Sequence, residues 1–132
     1  MSQENVEIVR RANELTNDGD LDAAYSFLHP DIEWVVATEH PNARTLTGRA
    51  AVAEYQRDWQ EAVPDVGVEY DRVIDAAERV VGIGRVRGTG TGSGADVRVP
   101  IALVFTLQDG LITRVEEYLN PSEALTAAGL AE

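Results

Sequence analysis

The sequence predicts an α+β fold, a curved and mostly antiparallel sheet wrapped around N-terminal helices. Three observations carry this. Apolar residues recur at helical spacing in the first half of the chain, between Val6 and Leu15 and again between Val52 and Val63. From Val66 to Leu119 the period changes to that of strands. Turn residues, Asp109-Gly110 above all, cut that second stretch into hairpins. With 132 residues and no internal repeat, the chain is expected to form one domain over 1–132.

Each element follows from local chemistry. Val6, Val9, Ala12 and Leu15, with Ile8 beside them, make one stripe on a helix from Asn5 to Thr16 that stops at Asn17-Asp18-Gly19. Asp20 can cap a short second helix through Tyr25 and Leu28, ended by His29-Pro30 because the residue before proline avoids helical geometry. Ile32 to Val36 is β-branched and aromatic, hence a strand. Ala37 to Leu46 reads as a loop long enough to act as a lid. Thr47 is placed to cap a third helix whose buried face is Val52, Tyr55, Trp59 and Val63, with Pro64 ending it. Strands are then expected at Val66 to Asp71, Val81 to Gly88, Val97 to Leu107 and Leu111 to Leu119. Asn120-Pro121-Ser122-Glu123 opens a last short helix, asparagine as cap and proline at the first helical position. The helices are expected on one face of the sheet, around a cone-shaped apolar hollow.

Composition excludes several functions. Lys+Arg 11 against Asp+Glu 23 gives a net charge of −12, which repels phosphate backbones, so no nucleic-acid partner is expected. Zero cysteines rule out a disulfide scaffold, a thiolate metal site and a cysteine nucleophile, and fit a reducing compartment. No apolar run approaches the roughly 20 residues of a membrane span. A soluble, cytoplasmic protein is the expectation. With two histidines, His29 and His40, and no repeated Asp/His spacing, no metal site is expected.

The punctuation of the chain carries a resemblance. Asn17-Asp18-Gly19-Asp20-Leu21-Asp22, then Leu28-His29-Pro30-Asp31-Ile32-Glu33-Trp34, Thr47-Gly48-Arg49-Ala50-Ala51-Val52, and Leu107-Gln108-Asp109-Gly110-Leu111-Ile112 resemble the nuclear transport factor 2-like superfamily, in its SnoaL-like and ketosteroid isomerase-like branch. The resemblance runs from about Asn5 to Asn120 and implies a cone-shaped barrel with an internal pocket for a small hydrophobic molecule, as a homodimer. It implies no cofactor, since the cyclisations and isomerisations of this group are proton transfers. The tyrosine, second acid and proton-moving aspartate of the steroid isomerases fall on Ala12, Ala102 and Val36 here, so the donors that polarise a ketone are missing. The Arg-x-Asp pair of limonene epoxide hydrolases meets Arg85-Val86-Arg87, arginine in place of the acid. Polyketide cyclases of this type need one acid in the pocket, and Glu117 meets that need.

Alternation sends Thr113, Val115, Glu117 and Leu119 to one face of the final strand, which the resemblance places toward the pocket. Desolvation disfavours a charge there, so Glu117 either works in proton transfer or takes a cationic partner. If Val81 and Ile83 face inward, Arg85 continues that face as the partner, joined by Arg98; the pair is then catalytic or an ordinary ion pair. His40, in the loop, is a proton shuttle or a solvated histidine. Trp34, Tyr55 and Trp59 are expected to meet, as an aromatic wall for a flat ligand or as plain core. Gln56 is a candidate hydrogen-bond donor to the ligand, and Ile83, Ala102 and Val115 complete the expected lining. The run Gly88 to Gly94 lacks the lysine and helix of a phosphate loop and reads as a hairpin connection. Two functions stay open: a cyclase- or isomerase-type enzyme, and a non-catalytic binding or accessory domain.

Overall fold

The computed structural model describes residues 2–38, 43–89 and 96–130. Four helices, α1 (Ser2–Asn17), α2 (Leu21–Tyr25), α3 (Arg49–Ala62) and α4 (Pro121–Ala127), accompany six strands, β1 (Leu28–Val35), β2 (Thr45–Thr47), β3 (Gly67–Ala76), β4 (Arg79–Thr89), β5 (Asp96–Gln108) and β6 (Leu111–Tyr118). The strands form one sheet in the order β2-β1-β6-β5-β4-β3. β1 and β6 run parallel, and every other neighbouring pair is antiparallel. The predicted α+β class, with a curved sheet around N-terminal helices, is therefore what the chain adopts.

Boundaries differ where local signals were weak. β1 begins at Leu28 and runs through His29-Pro30, so the second helix is one turn shorter than its composition suggests. Proline is tolerated there because the first residues of a strand can forgo a ladder donor. β2 takes in the last two residues of the expected loop and Thr47, with Trp34 opposite Leu46. Gly48, at φ 91, precedes α3 in place of the expected Thr47 cap. Asp20 precedes α2 without a side-chain cap bond. Asn120 does cap α4, accepting from Ser122 N at 2.8 Å. Asp109 and Gly110, at φ 53 and 81, make the predicted tight hairpin turn.

The larger difference concerns the two faces of the sheet. α1 and α3 cover the concave face, where Val9, Ile32, Val52, Val80, Leu103, Phe105, Ile112 and Val115 form the main core. α4 lies on the opposite face, its Ala124 packed with Val81, Ala102 and Val104. The helices are thus not gathered on one face. Both faces of β4 and β5 bury apolar residues, so alternation alone did not say which set points to the hollow. Val81 and Ile83 belong to the α4 side, and the inward set of β4 is Val80, Gly82, Gly84 and Val86.

α1 also closes the free edge of the sheet. Asn17 donates to Val68 O at 2.9 Å and accepts from Val68 N at 3.1 Å, and Asn13 donates to the same oxygen at 3.0 Å. β3 is an edge strand, and these side chains take the place of a further strand at that point.

Candidate functional site

Between the concave face and the helices lies a cavity of about 390 Å³. Its wall is apolar for the most part: Val9 and Ala12 from α1, Leu28 and Val115 from β1 and β6, and Val86, Ile101, Leu103 and Phe105 from β4 and β5. Among the described residues that line it, Glu117 alone carries a charge.

Glu117 is 8% exposed, and its position follows from strand register. Trp34 pairs with Val115 across the parallel β1 and β6, and Glu117 is the next residue of β6 on the same face. Trp34 Nε1 donates to Glu117 Oε2 at 2.6 Å, and the Tyr55 hydroxyl donates to the same oxygen at 2.9 Å. Oε1 accepts from Ala37 N at 3.2 Å. One turn further along α3, Trp59 lines the same cavity. The Trp34 and Tyr55 rings are 6.2 Å apart between centroids and inclined at 57°. A carboxylate offers about four acceptor sites. Among the described residues three are used, which leaves one on Oε1.

The family model of the SnoaL-like domain matches residues 9–115, which hold Trp34, Ala37, Tyr55 and Trp59 and end two residues before Glu117. The chain belongs to the SnoaL-like family. Structures of the same fold include a nuclear transport factor 2-like protein of unknown function from Burkholderia pseudomallei, at 21% identity over 93% of this chain and 95% of that one, TM-score 0.78. A Jannaschia protein named as a "putative SnoaL-like polyketide cyclase" has 21% identity over 98% and 94% of the two chains, TM-score 0.78. TerC, co-crystallised with polyporic acid, has 21% identity over 96% and 98%, TM-score 0.77. A comparison with curated proteins found no match.

In this SnoaL-like domain the expected partner of Glu117 is elsewhere. Arg85 points away from the cavity and forms a fork on Asp71, Nη1 to Oδ2 at 2.9 Å and Nη2 to Oδ1 at 3.2 Å, with Nε 3.5 Å from Glu69. Its hydrogen bonds hold the Asp71 carboxyl below the usual carboxylate range. Ile83 and Ala102 face α4. Arg98, exposed, pairs with Arg87 in the register of β4 and β5 and so shares that outer face. The physical reason is the shared one: a second apolar layer on the outer face inverts the alternation of β4 and β5. What replaces the cation is a set of neutral donors, and the hydrogen bonds of Trp34, Tyr55 and Ala37 take the role an arginine would have had. Substituting Arg85→Ala is accordingly expected to leave ligand affinity unchanged and to move the thermal midpoint little, read by calorimetric titration and a melting curve.

Trp34, Tyr55, Gln56, Trp59, Val115 and Glu117 line the cavity. The aromatic residues do more than form a wall, because their polar atoms fix the carboxylate. Gln56 Oε1 accepts from the Tyr25 hydroxyl at 2.7 Å, which leaves its amide NH₂ as the donating end. His40 lies outside the described residues. Asp31 N donates to His29 Nδ1 at 2.9 Å, in keeping with a role in the local chain path. Sequence reasoning missed the Ala37 N–H, which no side chain announces, and Tyr25 and Tyr70. Tyr70 did carry a signal, the alternation Val66, Val68, Tyr70. Of the three steroid-isomerase positions, Ala12 lines the cavity, Ala102 faces outward and Val36 is buried in the main core.

All four tyrosines titrate above their ordinary value of 10.0, Tyr55 and Tyr70 the furthest. Burial is the main cause for both, and the Glu117 carboxylate adds to it at Tyr55. A raised value in the folded state means that folding favours the protonated phenol. This contribution is complete below pH 10.0, the ordinary value, and is lost as pH rises through the folded values. Phenolate absorbance is therefore expected to lag behind that of free tyrosine in the native protein and to jump on unfolding in alkali. A smooth titration of four ordinary tyrosines would contradict the buried placement.

Proposed function

We propose that the cavity takes a small, largely apolar ligand with an acidic C–H next to a carbonyl, and that Glu117 moves its proton. The observation that carries this is an anchored carboxylate, the one charged group among the described residues that line a mostly apolar cavity. Oε1 takes the proton from carbon, and the electron pair moves to the carbonyl oxygen as an enolate. The enolate carbon then attacks a second carbonyl of the same ligand or, where a conjugated C=C extends the enolate to a dienolate, the proton returns to its far carbon. Glu117 returns the proton in either case, so no redox partner enters. The Gln56 amide NH₂ is the neutral donor on hand for the enolate oxygen. Val99 and Leu119, 37% and 38% exposed, also line the cavity and give it an apolar rim for a ligand to enter across.

The ligand class is supported by likeness of fold: a flat oxygenated aromatic compound, polyporic acid, was crystallised with TerC. A second reading, a binding or accessory domain without turnover, is favoured by Ala12 standing where the steroid isomerases carry a tyrosine. Thermal unfolding with aromatic polyketides, steroids, terpenoid epoxides and fatty acids tests the cavity first. One class is expected to raise the midpoint increasingly with concentration. Absence of any shift across the panel would mean the cavity is not a ligand site.

A further inference from the structure

The cavity wall holds a polar group on β3 that the proton-transfer reading does not use. Tyr70 lines the cavity from β3, and its hydroxyl has no hydrogen-bond partner among the described residues. The hydroxyl keeps contact with solvent in the cavity, since Tyr70 is only half-buried, and a ligand that covers it must supply an acceptor in place of that water.

Register fixes where it stands relative to Glu117. Glu117 pairs with Leu103, and Leu103 pairs with Gly82, so the three form one row across adjacent strands on the concave side. Tyr70 itself pairs with Gly84. Its ring leans back over Gly82, where an added Cβ would meet Tyr70 Cε1 at 2.6 Å. The glycine is the space in which the ring lies. The row therefore reads carboxylate, leucine floor, phenol, over two strand spacings of about 4.8 Å, or roughly 10 Å.

We infer that Tyr70 is a further polar contact of the ligand, its hydroxyl donating to an oxygen at the far end of a flat molecule that lies across Leu103 with its reacting end at Glu117. This rests on the cavity reading above and narrows the ligand class to one about two fused rings long or more, oxygenated at both ends. Tyr70 is a positioning residue here, since it touches no reacting atom.

Two probes that differ in one oxygen test it: 2,6-dihydroxynaphthalene, with hydroxyls at opposite ends, and 2-naphthol, with one. Binding is read by calorimetry or by the fluorescence of Trp34 and Trp59. The wild-type protein is expected to bind the diol several-fold to about tenfold more tightly, the size of one hydrogen bond. Tyr70→Phe is expected to abolish that preference while 2-naphthol affinity and the thermal midpoint stay the same. Gly82→Ala, which keeps the hydroxyl but displaces the ring, is expected to weaken the diol likewise. A preference that survives in Tyr70→Phe overturns the role of Tyr70 and leaves the cavity reading standing. If neither probe binds the wild-type protein, the cavity reading falls and this inference with it.

Discussion

Glu117→Gln is expected to lower turnover ~10²–10⁴-fold, the usual contribution of a positioned acid/base group, while ligand affinity changes little. The amide keeps the shape of the side chain but cannot take a proton from carbon. It also carries a structural signature that needs no substrate. Trp34, Tyr55 and Ala37 all aim donors at this group. An amide has one oxygen to offer them, and its NH₂ must face a donor. Leaving one donor unmet in a buried place costs about 1–3 kcal/mol, or a midpoint lower by several degrees for a chain of this size. Both readouts, turnover on the class that shifts the wild-type midpoint and the melting curve, come from one purified variant. Lost turnover with retained binding assigns the proton transfer to Glu117. Unchanged turnover removes it from the mechanism, and retained binding with no turnover in either protein favours the accessory-domain reading.

Gly84→Ala is expected to be the most damaging addition of a single methyl group to the sheet. A Cβ at Gly84 would lie 1.8 Å from the Glu69 carbonyl oxygen and 2.7 Å from its carbon, which are backbone atoms of the neighbouring strand. They sit at the register irregularity between Tyr70 and Arg72, where β3 bends against β4. No rotamer change relieves a clash with backbone, so the strands must separate and lose ladder hydrogen bonds. A cost above ~3 kcal/mol follows, with a midpoint lower by ~10 °C or more, or no folded protein. Gly110→Ala is the control: its φ of 81 is strained for alanine but the added atom meets nothing, so about 1 kcal/mol is expected. Urea unfolding of the two variants checks the contrast. Equal stabilities would mean that β3 and β4 do not approach closely at Gly84.

Much of the fold was legible because its signals are local. The stripe Val6, Val9, Ala12, Leu15 needs only the period of a helix, and Asp109-Gly110 needs only the left-handed conformations of a tight turn. Glu117 was legible as well, since alternation along β6 from Val115 places it on one face whatever surrounds it. Its surroundings were not. That Trp34 and Tyr55 donate to it depends on the parallel pairing of β1 with β6 and on the docking of α3, both contacts between segments far apart in the chain.

The same limit explains Arg85. By itself the sequence determined which residues alternate along β4, and that two faces exist. Which face looks into the cavity was decided by α4, which covers Val81, Ala102 and Val104 from outside and makes the outer face as apolar as the inner one. With both faces buried, hydrophobicity no longer distinguishes inside from outside. Room does: the glycine face of β4 turns inward because the Tyr70 ring and the backbone of β3 occupy the space that side chains would have filled.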